Sequence, residues 1–272
     1  MSKTTLPYIL GLITFISVIL LSHEYLKNGL SSGLPVIDNR PANTLHSLPD
    51  LSHILDVKEK KEAFFSTLYP IIEEENKHLL SQRQTLLTLR QQPFLSRIEQ
   101  RWLSKAITYY DVDPELPLQE KFTRLLRRVD YIPPSLVLTQ AAIESGWGSA
   151  RFSKKGNNLF GQWCFSKGCG MVPSGRETGK QHEVARFATV NASVRSYLKN
   201  LNTHFAYADL RTLRANLREA NHPVTGLALA STLLRYSEEG PLYVKKVSDF
   251  IQYNELTRFN SQFDKSLLLA SN

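Results

Sequence analysis

The chain has 272 residues, 42% of them hydrophobic, which is enough for a folded core and excludes an intrinsically disordered protein. Its formal net charge of +8 fits an anionic partner such as nucleic acid, anionic lipid or an acidic polymer like a cell wall. The basic residues alternate with acidic ones, as in VKEKKEAFF, and no nucleic-acid-binding motif is visible, so nucleic acid is not predicted as a partner. A merely solvated basic surface is the alternative reading of this charge.

The first feature along the chain is an uncharged apolar run, LPYILGLITFISVILLS at residues 6–22, within a predicted N-terminal unit of residues 1–27. The run just reaches the length of about 17 residues that a membrane-spanning helix needs, which favours an inner-membrane anchor. A cleaved signal peptide is the alternative, with only a weak cleavage site near Ser31–Gly33. Both interpretations place the remainder outside the cytoplasm, in the periplasm.

Two further segments precede the second half of the chain. Residues 28–50 contain glycine and proline without an apolar period, which predicts a linker, with ordered structure beginning near Leu51. Residues 51–117 are predicted to form a helical extension, because apolar positions recur at helical spacing over residues 57–91 and 94–110. Pro70 is a predicted kink or break within the first of these helices. The sequence indicates no protein partner for this extension.

Residues 118–258 are predicted to form a mainly helical domain. An amphipathic helix covers residues 118–130, and the helix SLVLTQAAIES follows Pro133 and Pro134, which favour a helix start. This second helix is apolar on nearly all sides, which is typical of a buried helix, and Gly146 is predicted to end it.

The period of the sequence changes after this helix. From Met171 to Thr189 the turn residues TGKQ and the strand-type run VARFAT predict a β-hairpin. Asn191 is the predicted N-cap of the next helix. Further helices are predicted over residues 207–220, 224–236 and 241–256, followed by a C-terminal tail at residues 259–272. The predicted fold class is therefore mainly α with a small β-hairpin lobe.

Two cysteines, Cys164 and Cys169, lie five residues apart in the loop-like sequence WCFSKGCG. A disulfide that closes a small loop is predicted for an oxidising compartment, with two free thiols as the alternative. A zinc site needs about four ligands, and His182-Glu183 lacks the second histidine of an HExxH motif. No metal and no cofactor are predicted.

Glu144 is the main catalytic candidate. It lies in the last turn of the predicted buried helix, where the negative end of the helix dipole and apolar neighbours such as Trp147 favour a protonated carboxyl group. A raised pKa is what a general acid needs near neutral pH. The alternative is a glutamate that points to solvent as the helix emerges.

Cleavage of a glycosidic bond usually needs a second carboxylate, and Glu177 and Glu183 lie on the predicted hairpin. Either one faces Glu144 if the hairpin folds over the end of the helix, although exposed hairpin carboxylates ordinarily serve solubility. Aromatic residues that are candidates for sugar-stacking walls or hydroxyl donors, with a place in the core as the commoner alternative, are Trp147, Phe160, Trp163, Tyr236 and Tyr243.

The run SLVLTQAAIESGWGSARFSKKGNNLFGQW resembles the signature of bacterial N-acetylglucosaminidases of glycoside hydrolase family 73, in which a helix ends on Glu-Ser-x-Trp-Gly and an Asn-Leu-Phe-Gly turn follows. RFATVNASVRSYLKNL is similar to the hairpin exit and next helix of that family. RYSEEGPLYVKKVSDFI resembles its closing tyrosine motif, but the spacing from Tyr236 to Tyr243 is one residue longer. The resemblance covers about residues 122–253.

This resemblance implies a lysozyme-like domain that cuts the β-1,4 bond after N-acetylglucosamine in peptidoglycan glycan strands. It implies that Glu144 is the general acid and that Tyr236 binds substrate, and it favours Glu177 as the second carboxylate, with Glu183 as a substitute. A lytic transglycosylase, which needs a single acid, and a non-catalytic wall-binding or scaffold protein are the alternative functions.

Overall fold

A computed structural model describes residues 33–38, 44–176, 179 and 181–270. The predicted membrane segment and Glu177 lie outside these residues. Within them the chain forms ten α-helices and a three-stranded antiparallel sheet, so the predicted mainly α, lysozyme-like class is confirmed. None of the described helices is both long enough and apolar enough to cross a membrane.

The helices are α1 Val57–Gln91, α2 Arg97–Tyr109, α3 Leu118–Arg128, α4 Pro134–Ser145, α5 Arg151–Gly156, α6 Val190–Thr203, α7 Ala208–Glu219, α8 Gly226–Ala230, α9 Pro241–Tyr253 and α10 Thr257–Ala270. The strands are β1 Trp163–Cys164, β2 Gly170–Met171 and β3 Glu183–Ala185. Short 3₁₀ turns cover Phe205–Tyr207 and Leu233–Arg235.

Helix α1 is continuous across Pro70, where the sequence predicted a kink or break. Asp56 caps its start by accepting a hydrogen bond from the backbone N–H of Glu59 at 2.7 Å. Pro70 and Ser66 are both exposed, so water can satisfy the Ser66 carbonyl group that loses its helical partner. The opposite side of the helix is held in the core by buried side chains, among them Phe64, Phe65, Leu68, Ile72 and Leu86.

Helix α4 lies at the centre of the core and is buried on nearly all sides, as its apolar sequence predicted. It contacts α1, α8, α9 and α10. Gly226 of α8 comes so close to α4 that a Cβ atom there would lie 2.2 Å from Ser135 Oγ. One cluster of buried side chains runs from α1 to α10, so the predicted helical extension and the predicted domain share one core.

The segments predicted as linker and tail also pack onto this core. Ile37 is buried, and the Pro35 carbonyl group accepts a hydrogen bond from Trp102 Nε1 at 2.6 Å. Ordered packing therefore begins well before the predicted start near residue 51. At the other end, α10 buries Phe259 and Phe263 instead of forming a tail.

The N-cap of α6 differs from the prediction. Thr189, rather than Asn191, accepts the capping hydrogen bond, from the Ala192 backbone N–H at 3.1 Å. Asn191 lies in the first turn of the helix, where its Oδ1 accepts a hydrogen bond from the Leu45 N–H at 2.9 Å. The asparagine side chain thus fastens the N-terminal segment to α6, a contact that local sequence does not reveal.

The β lobe has three strands where the sequence predicted a two-stranded hairpin. The strand order is β1-β3-β2, with Trp163 opposite Val184 and Gly170 opposite Ala185. A Cβ atom at Gly170 would lie 2.0 Å from the Val184 carbonyl oxygen, so only glycine allows this close approach. The additional strand, β1, comes from the sequence just before the disulfide loop.

Candidate active site

Glu144 occupies the last turn of α4, and the local sequence determines where that helix ends. Gly146 adopts the left-handed conformation, with φ of 54°, and donates its backbone N–H to the Ala142 carbonyl group, as predicted. The Glu144 side chain is half-buried at the negative end of the helix dipole.

The pKa of Glu144 is raised above the ordinary range of a glutamate. Burial is the main cause, and the negative charge of Glu239 adds to it. The hydrogen bond from Tyr243 and the positive charge of Lys246 act in the opposite direction without cancelling the effect of burial. The carboxyl group therefore keeps its proton to a higher pH than an exposed glutamate, as the sequence predicted for a general acid.

A chain of buried hydrogen bonds ends on Glu144. Tyr197 OH donates to Gln140 Oε1. Gln140 Nε2 donates to Tyr243 OH at 3.0 Å, and Tyr243 OH donates to Glu144 Oε1 at 2.7 Å. Because Gln140 occupies an acceptor site of the Tyr243 oxygen, the hydroxyl proton is directed to Glu144. Burial also raises the pKa of Tyr243, so this hydroxyl group remains a donor.

Stacked aromatic rings hold this chain of hydrogen bonds in place. Tyr236 lies nearly parallel to Tyr243, with ring centroids 5.3 Å apart and an interplanar angle of 11°. Phe160 stacks on Tyr197 at 3.9 Å, and its carbonyl group accepts a hydrogen bond from Tyr236 OH at 3.3 Å. The structure thus brings together Glu144 and three of the predicted aromatic residues.

Trp147 has different neighbours. Its ring lies 5.6 Å from that of Phe64, 5.4 Å from that of Phe65 and 5.4 Å from that of Phe250. Its own backbone is left-handed, with φ of 59°, directly after left-handed Gly146. The ring therefore packs between α1 and α9, and its predicted role in sugar stacking stays a prediction.

Glu183 lies on the central strand of the β lobe, and its carboxylate group holds the disulfide loop. Its two oxygens accept hydrogen bonds from the backbone N–H groups of Gly168, at 3.0 Å, and Gly170, at 2.8 Å. These bonds lower the pKa of Glu183. Cys164 and Cys169 form the predicted disulfide of this loop. Both Glu183 oxygens thus serve the lobe, and a catalytic role for this residue stays a prediction.

The β lobe also contains the one group of potential metal ligands found among the described residues. The ligand atoms of Cys164, Cys169 and Glu183 lie within 4.8 Å of one another. The two sulfur atoms are bonded to each other, so they are not available as thiolate ligands.

Trp163, a predicted sugar-stacking residue, lies on the neighbouring strand β1. Its side chain is 50% exposed, and its ring meets that of His182 edge-on, with the ring centroids 4.4 Å apart.

Four polar residues of this site were not predicted from the sequence. Gln140 carried a usable signal, because an amide inside an otherwise apolar, buried helix needs hydrogen-bond partners. Tyr197 lies in the helix predicted after Asn191, where a buried tyrosine is ordinarily a core residue. Glu239 and Lys246 carried no local signal, because their relation to Glu144 arises only when α9 packs against α4.

The site falls within a region that matches a known family. A family model named Glucosaminidase, described as mannosyl-glycoprotein endo-beta-N-acetylglucosaminidase, matches residues 119–256, just over half of the chain. Protein bax of Escherichia coli (strain K12) is 36% identical over 210 residues, which cover 77% of this chain and 75% of that protein. No solved structure matches the chain. The chain therefore belongs to the glucosaminidase family of glycoside hydrolases.

Proposed function

We propose that this protein is an endo-β-N-acetylglucosaminidase that hydrolyses bacterial peptidoglycan at the β-1,4 bond after N-acetylglucosamine. The observation that carries the proposal is the half-buried carboxyl group of Glu144, which accepts a hydrogen bond from Tyr243 within the region matched by the family model. The substrate is supported by the resemblance to family 73 and by the net charge of +8, which attracts an anionic wall polymer.

Glu144 supplies the proton that the leaving glycosidic oxygen needs. Oε1 is engaged by Tyr243, which leaves Oε2 to carry the transferable proton. As the proton departs, Glu144 becomes a carboxylate and the hydrogen bond from Tyr243 becomes charge-assisted and stronger. Tyr243 therefore stabilises the reacting state more than the resting state, which is the condition for lowering the barrier.

A lytic transglycosylase is the second candidate, and one observation favours it. Such an enzyme needs a single acid and leaves an anhydro product, and the described hairpin carboxylate, Glu183, is engaged by the disulfide loop. Both candidate enzymes use Glu144 as the acid. The hydrolase leaves a reducing end on the released fragment, whereas the transglycosylase leaves an anhydro end.

We further propose that the protein acts in the periplasm and is tethered to the inner membrane. The uncharged run at residues 6–22 supports export, and the disulfide supports an oxidising compartment. A fusion of a periplasm-dependent reporter enzyme after residue 33 tests this location. Reporter activity retained in washed membranes supports the tether, and reporter activity in the soluble periplasmic fraction indicates a cleaved signal.

The function is tested by digesting purified peptidoglycan with the protein and identifying the released fragments by mass spectrometry. We expect fragments with reducing N-acetylglucosamine ends, and their loss in Glu144→Gln, which keeps the shape of the side chain but has no acidic proton. Thermal unfolding of both proteins controls for misfolding. Anhydro ends indicate the transglycosylase, and wall binding without any release by wild type refutes both enzyme proposals and leaves a binding protein.

A further inference from the structure

We propose that Glu239 is the second carboxylate of this site and activates the water molecule that attacks the sugar; this rests on the proposed glycosidase function. Glu239 lies outside the β lobe, whereas the second glutamate was predicted on the hairpin of that lobe. It belongs to the short loop at residues 237–240, which joins Tyr236 to the start of α9.

The loop that carries Glu239 lies between the stacked tyrosines Tyr236 and Tyr243. Tyr236 at its start stacks on Tyr243, which lies seven residues further along the chain in the first turn of α9. The Glu239 backbone N–H donates to Ser237 Oγ at 3.3 Å, and its carbonyl group accepts from the Leu242 N–H at 3.1 Å. The same turn therefore positions Glu239 and presents Tyr243 to Glu144.

Lys246 pairs with Glu239 on the side of α9 that carries Tyr243. It follows Tyr243 by three residues in α9, so the two side chains share one side of the helix. Its Nζ lies 3.8 Å from Glu239 Oε2, and the charges of both Lys246 and Glu239 act on Glu144. The negative charge of Glu239 raises the pKa of Glu144, and the positive charge of Lys246 lowers it.

The two carboxyl groups have the contrasting environments that an acid and a base require. Glu144 is half-buried, which raises the pKa of its carboxyl group, whereas the Glu239 side chain is 50% exposed and open to water. Its ion pair with Lys246 is equally exposed, and such surface pairs are weak enough to yield to a water molecule or substrate.

The reaction is then a single displacement. Glu144 transfers its proton to the glycosidic oxygen as the bond from that oxygen to the anomeric carbon breaks. The water oxygen forms a new bond to the anomeric carbon from the opposite face, and the water proton passes to Glu239. Exchange of both protons with solvent restores the enzyme, and the product has the inverted, α configuration.

Two adjacent glutamates provide the test. Glu239→Gln is expected to lower kcat/KM on peptidoglycan about 100-fold or more, the usual contribution of a general base. Glu238→Gln, the exposed neighbour in the same loop, is the matched control and is expected to stay within about twofold of wild type. Azide is expected to restore turnover to Glu239→Ala and to give an α-glycosyl azide, because the small anion replaces the activated water.

The outcomes separate this inference from the proposed function. A wild-type protein that releases no fragments refutes the function and this inference together. An active wild type with Glu239→Gln as active as Glu238→Gln refutes the inference alone, as does loss of activity in Glu177→Gln but not in Glu239→Gln. The assignment is also overturned if the wild type releases a β-configured product. It is likewise overturned if Glu239→Gln loses activity but azide does not restore turnover to Glu239→Ala.

Discussion

Replacing Tyr243 with phenylalanine removes one hydroxyl group from the centre of the site. That hydroxyl group donates to Glu144 Oε1 at 2.7 Å and accepts from Gln140 Nε2 at 3.0 Å. A hydrogen bond to a neutral group contributes about 1 kcal/mol, and one to a charged group about 1.5–3 kcal/mol. Because Glu144 becomes charged as it gives up its proton, the lost transition-state stabilisation is about 0.5–2 kcal/mol, and we expect kcat to fall about 2- to 30-fold.

The same substitution is expected to move the pH profile in a defined direction. Glu144 acts as an acid only while it carries its proton, so activity is lost as the pH rises through its pKa. The hydrogen bond from Tyr243 lowers that pKa by stabilising the carboxylate form. Without it the pKa rises further, so the alkaline limb of kcat moves to higher pH.

Folding stability provides an independent measure of the substitution. Gln140 is fully buried, and its Nε2 loses its acceptor in Tyr243→Phe. An unsatisfied buried donor costs about 1–3 kcal/mol, which urea unfolding measures.

The assay follows release of soluble fragments from peptidoglycan between acid and alkaline pH. Tyr253→Phe is the matched control, because Tyr253 lies on the same helix and is 80% exposed. An alkaline limb that stays in place or moves to lower pH in Tyr243→Phe refutes the assignment of Tyr243 as a donor to Glu144.

Three further substitutions test the packing around the site. Glu183→Gln replaces one accepting oxygen with a donor, so we expect faster hydrogen exchange of the backbone amides of Gly168 and Gly170, measured by mass spectrometry. The pKa of Glu183 is lowered, so in the wild type the protection of these amides should be complete above the ordinary pKa range of a glutamate. It should be lost as the pH falls through the lowered pKa. Asp130→Asn removes the carboxylate that faces the buried Arg214 guanidinium, and urea unfolding should show a loss of about 3–5 kcal/mol. Gly226→Ala places a Cβ atom 2.2 Å from Ser135 Oγ, and the free energy of unfolding should fall by about 1–3 kcal/mol.

The errors of the sequence analysis share a physical origin. Asn191 has a side chain typical of an N-cap, but its Oδ1 accepts a hydrogen bond from the Leu45 N–H, far away in the chain. Thr189 caps the helix instead. Pro70 has no N–H, but the helix continues because burial of its other side outweighs one missing hydrogen bond. In both cases packing against distant segments overrides a local preference.

The sequence by itself determined most of the helices, the buried character of α4, and the position of Glu144 just before the left-handed Gly146. These features follow from the apolar period and from backbone sterics, which act over a few neighbouring residues. The tertiary structure alone decided what surrounds the Glu144 carboxyl group. Tyr243 lies 99 residues further along the chain, and the motif that contains Glu239 carries no local signal of its position relative to Glu144. The pKa and the reactivity of a carboxyl group depend on burial and on charges within a few ångströms, and only folding brings those groups together.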